Sequence, residues 1–386
     1  MTWDEDHRAR AGLAKASGGG LRGLAELVAD HGAPAVWARL RTERSASQDT
    51  HLAQRARQVD LAEVEQATTR LGLRFVVPGD PEWPSSLGDL RVPEPGRLDP
   101  GLGGVPLGLW LRGPLSLVDV SGVALVGSRA ASSYGERVAV DLAVDLTVGG
   151  RGGEPGRTVV SGGAYGIDAA AHRGALTTGA TVAVLAGGLD EFYPKGNERL
   201  LASVAESGLV VSEVAPGARP TKSGFLARNR IIAALCRAVV VVEAAHRSGA
   251  LNTAAWANRI SRPVMAVPGP VTSSMSQGAN RLIATGEASL VTSAQDIRDV
   301  LAPLDAGRAE ADRGVQPSLL DDLPDLLVQV RERLYPRRPT SVDEIAEATG
   351  LRPPECLAAL GELEERGLVA PHPAGWVLAR PRRAAA

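Results

Sequence analysis

Between Val123 and Thr292 the chain repeats one pattern, in which a short apolar run ends in a loop bearing Gly, Ser or Arg that opens a helix. The instances are Val123–Gly135, Val159–His172, Val182–Asn197, Val239–Ala254 and Val264–Val271. Parallel strands followed by helices bring such loops to one edge of a sheet, where helix N-termini present free N–H groups. The pattern predicts a phosphate-bearing partner at that edge.

Seven apolar runs predict the strands of this sheet. They lie near Val123, Val159, Val182, Leu209, Val239, Val264 and Leu290. Runs such as AVVVVE are apolar on both faces, which is typical of central parallel strands covered by helices on each side. We therefore expect a Rossmann-like, doubly wound, mostly parallel α/β domain over residues 116–300.

The flanking segments differ in composition. Apolar residues at helical spacing in Leu21–Gly32 and Pro34–Arg41 predict a small helical domain, of the SAM or helix-hairpin-helix kind, over residues 1–75. Residues 76–115 are crowded with Pro and Gly, which predicts a linker. Clustered Asp and Glu with three prolines predict an acidic linker over residues 301–325.

The C-terminal segment predicts a winged helix-turn-helix over residues 326–383. Ser341–Ala379 contains a short helix, a Thr-Gly turn, a longer helix over Pro354–Arg366 and a Pro-Gly hairpin. The longer helix would be the recognition helix, yet it carries four glutamates against Arg366 alone. Phosphates of the major groove repel such a helix, so we favour a protein contact over DNA reading.

Bulk composition excludes several classes of protein. No apolar run is long enough to span a membrane and Met1–Gly20 is charged from the start, so we expect a cytoplasmic protein without a membrane partner. Cys236 and Cys356 are the only cysteines, and the six histidines show no metal-ligand spacing. None of the loops that follow these apolar runs has the dinucleotide motif G-x-G-x-x-G, and the P-loop, nucleophile-elbow and zinc-protease motifs do not occur in the sequence, so we expect no cofactor, no metal and no catalysis.

Charge is concentrated locally although the net charge is only −2. The span Arg219–Arg262 holds eight Lys and Arg residues against Glu243, a local charge of +7. Arg129 directly follows the first strand of the domain, and Lys195 lies in the loop after the strand at Val182. Two cations on successive loops of one edge, near Arg228 and Arg230, predict a track for phosphates.

Small residues and carboxylates in the same loops have competing interpretations. Ser161, Gly162, Gly163 and Gly166 would let backbone amides approach an oxyanion, as would Ser248 and Gly249 at a later helix start. Asp168 is interpreted as a helix N-cap and His172 as a residue that packs or bonds locally. Asp190 and Glu191 leave a minor alternative, a pair of carboxylates for glycosidic cleavage.

Together these motifs resemble the DNA-processing protein A (DprA/Smf) family. The matching segments are V-G-S-R-x-x-S-x-Y-G (126–135), S-G-G-A-x-G-I-D-x-x-A-H (161–172), G-L-D-x-x-Y-P-K-x-N (188–197), R-N-R-I-I-A (228–233), E-A-x-x-x-S-G-A-L-x-T-A (243–254), A-V-P-G (266–269) and G-A-N-x-L-I-x-x-G (278–286). The resemblance covers residues 76–300 strongly. Leu226 and Asn252 depart from the family pattern, and Gly149–Arg157 is similar to an inserted loop.

The resemblance implies a protein without catalytic activity that binds single-stranded DNA on its Rossmann-like domain. It also implies a homodimer formed through that domain, protection of incoming DNA, and loading of the RecA recombinase in natural transformation. The implied DNA-binding residues are Ser128, Arg129, Ser161, Gly162, Gly163, Lys195, Asn197, Arg228, Asn229, Arg230, Ser248 and Gly249.

Two other functions remain open at the level of sequence. One is a nucleotide-processing enzyme similar to phosphoribohydrolases, although their P-G-G-x-G-T-x-x-E motif does not occur here. The other is a sequence-specific duplex binder acting through the winged helix. Because aromatic residues make up only 3% of the chain, we expect DNA affinity to arise mostly from charge and to fall steeply with salt.

Overall fold

A computed structural model of the chain describes residues 3–42, 50–91, 103–120, 122–150, 156–302, 323–335 and 338–379. The chain divides into two compact units, Met1–Pro303 and Leu304–Ala386. Within the described residues, every helix is too short or too polar to cross a membrane.

The first unit is built on a nine-stranded sheet. Its strands are β1 Arg74–Val76, β2 Leu109–Arg112, β3 Gly122–Gly127, β4 Thr158–Ser161, β5 Thr181–Leu185, β6 Leu209–Ser212, β7 Cys236–Glu243, β8 Val264–Ala266 and β9 Ser289–Leu290. Their order across the sheet is β1-β2-β6-β5-β4-β3-β7-β8-β9. Strands β3 to β9 are mutually parallel, and the seven runs named in the sequence account for all of them. The prediction of a doubly wound parallel sheet is confirmed.

Helices cover both faces of the sheet. They are α6 Ser133–Val148, α7 Ile167–Thr178, α8 Glu198–Ser207, α9 Lys222–Leu235, α10 Ala250–Arg259, α11 Gln277–Ala284 and α12 Ala294–Leu301. Alternate strand residues face opposite ways: Val239 and Val241 pack with α9, α10 and α11, whereas Val240 and Val242 pack with α6, α7 and α12. Burial on both faces explains why β7 is apolar almost throughout.

The predicted linker over residues 76–115 is wrong for the part of it that the structure describes. β2 pairs antiparallel with both β1 and β6 and so extends the sheet. Leu109, Trp110 and Leu111 are fully buried there. Pro and Gly mark the turns around this short strand, and averaging composition over forty residues concealed it. Residues 92–102, which hold several of the prolines and glycines, lie outside the described residues.

The N-terminal helices are not a separate domain, contrary to the boundary expected at residue 75. They are α1 Glu5–Ser17, α2 Arg22–His31, α3 Ala33–Thr42, α4 Thr50–Gln58 and α5 Leu61–Arg70. Trp3, Phe75 and Trp110 form a ring cluster, with centroids 5.0 Å apart for Trp3–Phe75 and 4.3 Å apart for Phe75–Trp110. Trp110 also donates to Thr68 Oγ1 over 3.1 Å. The helices therefore share a hydrophobic core with the sheet.

The second unit contains a helix-turn-helix followed by a hairpin. Its elements are α13 Asp325–Arg331, α14 Val342–Thr349, α15 Pro353–Glu365, β10 Val369–His372 and β11 Gly375–Leu378. Ser341 caps α14 through Glu344 N, and Gly350 ends the helix at φ 73°. α15 is the helix that the sequence placed over Pro354–Arg366. Most of the acidic linker expected over 301–325 lies outside the described residues, as does the centre of the inserted loop over 149–157.

Candidate nucleic-acid interface

A cleft of about 560 Å³ lies at the carboxyl edge of the sheet. The strand order changes direction between β3 and β7, which is where doubly wound proteins bind ligands. The loop after β3, the loop after β7 and one side of α9 line this cleft. Its lining includes Ser128, Arg129, Lys222, Phe225, Arg228, Asn229, Arg247, Ser248 and Gly249. Six of the twelve residues expected to bind DNA line the cleft. A seventh, Gly162, lies at its floor, where its carbonyl accepts a hydrogen bond from Arg228.

Three exposed cations stand on different sides of the cleft. Arg129 leaves β3, Lys222 opens α9 and Arg247 follows β7. The backbone fixes their spacing, since Ser128 N donates to Glu243 O over 2.7 Å and so ties the β3 loop to the end of β7. The Arg129 guanidinium lies 4.7 Å from the ring centroid of Phe225. Positive charges held apart around one concavity can neutralise successive phosphates of a strand.

A smaller pocket of about 90 Å³ adjoins the cleft and shares Arg129 and Phe225 with it. The loops after β4 and β5 form its other walls, which include Tyr165, Tyr193 and Pro194. Lys195 follows directly, with a side chain that is 62% exposed and an Nζ 3.4 Å from Glu198 Oε1. Because an exposed ion pair is weak, Lys195 remains able to bind an anion.

Arg228 organises the floor of the cleft. It is buried, its Nη1 donates to Gly162 O over 2.6 Å and to Val184 O, and its Nε donates to Asn229 Oδ1. Burial lowers the pKa of Arg228 to about 10 while Asp168 opposes the shift, so the guanidinium stays charged at neutral pH. Burial likewise raises the pKa of the Asp168 carboxyl, against the attraction of Arg228. The main role of Arg228 is to position the loop after β4.

Arg230 contradicts the expectation that it binds a phosphate. Its side chain is 0% exposed and forms an ion pair with Glu213, with Nη2 2.7 Å from Oε1. Nη1 also donates to Ala227 O and Nε to Gly104 O, each over 2.9 Å. A helix carries residues two apart on different faces, and Arg230 points into the core while Arg228 lies below the cleft.

The charge of +7 that was counted along the span Arg219–Arg262 therefore does not all lie at the surface of the cleft. Besides the two buried arginines, Arg262 pairs with Asp89 over 2.6 Å, and Arg237 opens β7 at the opposite edge of the sheet. Of the exposed cations in that span, Lys222 and Arg247 line the cleft. Counting charges along the chain overestimated the site because the fold sends neighbouring residues in different directions.

Several predicted contact residues brace the loops through their side chains. Asn197 Nδ2 donates to Gly163 O and Ala164 O, each over 3.0 Å, and Ser161 Oγ donates to Leu125 O over 2.7 Å. Asn229 Nδ2 contacts Gly249 O and Asn252 Oδ1, both at 3.3 Å. Asn252, where the chain departs from the family pattern, thus contacts a residue that lines the cleft.

Glycines allow these loops to turn and to pack closely. Gly163 has φ +69°, a conformation that residues with a side chain rarely adopt. A Cβ on Gly162 would lie 2.6 Å from Arg228 Cζ. Ser248 and Gly249 open α10 at the cleft rim, as the sequence indicated.

The residues considered for catalysis have structural partners. Asp168 is not the N-cap of α7 as expected: Gly166 is, and Asp168 Oδ2 in the first turn accepts from Ala164 N over 3.3 Å. His172 bonds locally, as expected, with Nδ1 2.8 Å from Thr181 Oγ1, and burial lowers its pKa to about 3. Asp190 Oδ1 accepts from Gly217 N over 2.8 Å. Among the described residues, no group of His, Cys, Asp and Glu has the arrangement of a metal site.

Sequence reasoning missed the aromatic side chains of this interface. Tyr165 and Tyr193 are 48% and 50% exposed, and Phe225 lies 5.9 Å from Tyr193 between ring centroids. All three line the smaller pocket. Tyr193 belongs to the Y-P-K motif, and Tyr165 and Phe225 lie near motif residues, which was the one available signal. A chain with few aromatic residues gave no reason to expect three of them together.

Comparison with known proteins identifies relatives over most of the chain. Residues 74–302 match the family described as DNA recombination-mediator protein A, and residues 315–375 match the DprA winged helix domain. The chain is 46% identical to the putative DNA processing protein DprA of Mycobacterium tuberculosis, covering 81% of this chain and 78% of that one. It is 39% identical to protein Smf of Escherichia coli, covering 72% and 73%.

A solved structure is similar in fold. DNA processing protein A from Streptococcus pneumoniae superposes with a TM-score of 0.61 at 33% identity, covering 78% of this chain and 98% of that one. The match to the winged helix family confirms the C-terminal fold that the two helices, the turn between them and the hairpin had indicated.

Proposed function

The chain belongs to the DNA recombination-mediator protein A family, and from that membership we propose that it binds single-stranded DNA in the cleft at the sheet edge, without cleaving it. In this proposal the bound strand is protected from nucleases and handed to the RecA recombinase during natural transformation. That role requires a cytoplasmic location.

The observation that carries the proposal is the placement of three exposed cations around one concavity. Arg129, Lys222 and Arg247 come from three separate elements and converge on the cleft, with Lys195 beyond the adjoining pocket. A flexible polyanion gains affinity from each neutralised phosphate, because condensed counterions are released. The loops that hold these cations are braced by hydrogen bonds, so little order has to be created on binding.

Two features favour binding without catalysis. Asp168 lines the cleft, but it is mostly buried and its carboxyl accepts a hydrogen bond from Ala164 N, while His172 is enclosed with its ring bonded to Thr181. His172 is not placed to act on a substrate in the cleft, since a general acid or base must reach the reacting atom, and the described residues that line the cleft include no histidine that could act with Asp168.

Fluorescence anisotropy of labelled oligo-dT and of a matched duplex, over a salt series, tests the binding step. We expect a preference for the single strand at each salt concentration, and equal affinity for both would contradict it. Nuclease digestion of the labelled strand with and without protein tests protection. Incubation with nucleoside monophosphates tests the alternative enzyme, and released base would overturn the proposal of a protein without catalysis.

The RecA and dimer steps require their own measurements. We propose a homodimer formed through the Rossmann-like domain and a direct handover of the strand. Sedimentation equilibrium of the full chain gives the mass in solution. RecA filament growth on strands coated with single-strand binding protein gives the loading activity, which should rise when the protein is added.

For the winged helix we propose a protein contact rather than duplex recognition. Glu362, Glu364 and Glu365 are exposed on α15, and Arg366 pairs with Glu362 over 2.6 Å. Substituting all three glutamates by glutamine should leave the affinity of the full chain for duplex low, whereas tight duplex binding by the natural chain would contradict this assignment.

A further inference from the structure

Glu243 is an acidic residue buried at the end of β7, beside the loop that carries Arg129. It is 2% exposed and does not line the cleft. Its backbone is paired with Gly127 at the end of β3, at a point where the register between the two strands shifts. A buried carboxylate costs free energy unless hydrogen bonds satisfy it, so the donors that it accepts from indicate its role.

These donors come from both ends of the loop between Ser128 and Ser132. At one end, Ser128 N donates to the backbone oxygen of Glu243 over 2.7 Å. At the other end, Ser132 N donates to Glu243 Oε2 over 2.8 Å, and the Ser132 hydroxyl donates to Oε1 over 2.6 Å. Arg129 and two alanines lie between these ends. One buried residue therefore fixes both ends of the segment that carries Arg129.

The same contacts place the Glu243 carboxylate at the start of α6. Ser132 is the N-cap of this helix, and its hydroxyl oxygen accepts from Gly135 N over 3.1 Å. A Cβ on Gly135 would lie 2.6 Å from Glu243 Oε2, so glycine permits the close approach. Negative charge is stabilised at a helix N-terminus by the helix dipole. This location favours a carboxylate over a neutral side chain at position 243.

The position of this loop decides where the Arg129 guanidinium lies. The guanidinium is 4.7 Å from the ring centroid of Phe225, and Arg129 borders both the cleft and the smaller pocket. Ordering a long side chain and its loop on binding costs affinity, so a cation that is already in place binds a phosphate more tightly. The hydrogen bonds of Glu243 supply that order before a strand arrives.

We propose that Glu243 is a positioning residue for DNA binding, whose carboxylate acts through Ser132 to hold Arg129 towards the bound strand. The inference rests on the proposed function and assigns a role to a residue that does not line the cleft. Because Glu243 acts through Arg129, its loss lowers the affinity only as far as Arg129 contributes to it.

A double-mutant cycle tests this assignment, with binding of labelled oligo-dT by the full chain as the measurement. Glu243→Gln and Ser132→Ala should each weaken binding about fivefold. When Arg129→Ala is already present, either change should alter the affinity by less than about twofold, because the residue through which it acts is gone. When Arg247→Ala is present instead, the loss should remain about fivefold. Ser132→Thr keeps the hydroxyl and should keep the affinity of the natural chain.

The salt dependence of binding separates positioning from a loss of stability. Ser132→Ala should make the slope of log K against log salt shallower by up to about 0.7, the contribution of one phosphate contact. Ser293→Ala is the matched control, because Ser293 caps α12 as Ser132 caps α6 and lines neither the cleft nor the smaller pocket. This control should leave the affinity and the slope unchanged.

Equal losses from Ser132→Ala with and without Arg129 would overturn the assignment. Unchanged affinity and slope in both Ser132→Ala and Glu243→Gln would overturn it as well, and either result leaves single-strand binding by the natural chain intact. Either variant decides the question if the other fails to fold, and unfolding of both would show that these contacts maintain the fold instead of placing Arg129. Failure of the natural chain to bind oligo-dT would overturn the proposed function itself.

Discussion

The Arg230 guanidinium lies wholly inside the protein against the Glu213 carboxylate, with Nη1 2.9 Å from Oε2 and Nη2 2.7 Å from Oε1. Arg228, two residues earlier on α9, lies beneath the cleft instead. One motif thus supplies a core ion pair and a brace for the binding loops. The motif R-N-R is a structural element more than a phosphate contact.

Replacing Arg230 should destabilise the fold. Arg230→Ala leaves Glu213 as an uncompensated buried charge, which costs about 3–5 kcal/mol of unfolding free energy. Urea denaturation followed by circular dichroism measures it. Arg247→Ala is the control: it removes an exposed cation at the cleft, should change stability by less than about 0.5 kcal/mol, and should weaken binding to oligo-dT. A stable Arg230→Ala protein with weakened DNA binding would reverse our assignment.

Two glycines of the cleft should differ in their tolerance of a methyl group. In Gly162→Ala the new Cβ would lie 2.6 Å from Arg228 Cζ, so either the loop or the guanidinium must move, at about 1–3 kcal/mol. A Cβ on Gly249 would meet no atom within 4 Å, and the φ of Gly249 is −62°, so Gly249→Ala should leave the stability nearly unchanged. Thermal melting of both variants checks the difference, and equal melting temperatures would show that Arg228 does not constrain the loop.

His172 should make stability depend on pH. Burial lowers its pKa from 6.5 to about 3, so it stays neutral in the native state while the unfolded chain takes up a proton. The stability contributed by neutral His172 is complete above pH 6.5 and is lost as the pH falls towards about 3, by about 1.4 kcal/mol per pH unit. Urea midpoints of the natural chain and His172→Gln at pH 7 and pH 5 should diverge. An unchanged pH dependence in the variant would contradict a buried neutral imidazole.

Salt dependence should report the number of cations that engage the strand. If Arg129, Lys195, Lys222 and Arg247 each neutralise one phosphate, log K should fall with log salt with a slope of about −2.8, or about 50-fold between 50 and 200 mM. Each Ala substitution should reduce the slope by about 0.7. A slope near zero would exclude phosphate contacts as the main source of affinity.

Much of the fold followed from the sequence because burial of the parallel strands on both faces leaves a direct signal. β7, with its run of valines, was placed from that signal. β2 was missed because four residues among turns carry no periodicity. Its role depends on pairing with β6, about a hundred residues later in the chain, which no local pattern encodes.

The site was predictable where a residue follows a strand and unpredictable where it lies on a helix. Arg129 and Lys195 come after β3 and β5, so the topology alone puts them at the carboxyl edge. Arg230 lies on α9, and whether it faces the cleft or the core depends on how the helix packs on Gly104 and Glu213. The smaller pocket beside the cleft forms where separate loops meet, so it could be found only in the three-dimensional structure.

The central claim is that cations at this edge bind an unpaired strand, and charge reversal tests it most directly. Arg129→Glu with Lys195→Glu should reduce the affinity for oligo-dT by at least about 100-fold at low salt, since two phosphate contacts become repulsions. The control is Arg173→Glu with Arg237→Glu, which changes net charge equally at exposed residues, one of which opens β7 at the opposite edge. The account predicts that the control binds within a few-fold of the natural chain. Equal affinity of a folded Arg129→Glu, Lys195→Glu protein and the natural chain would contradict it.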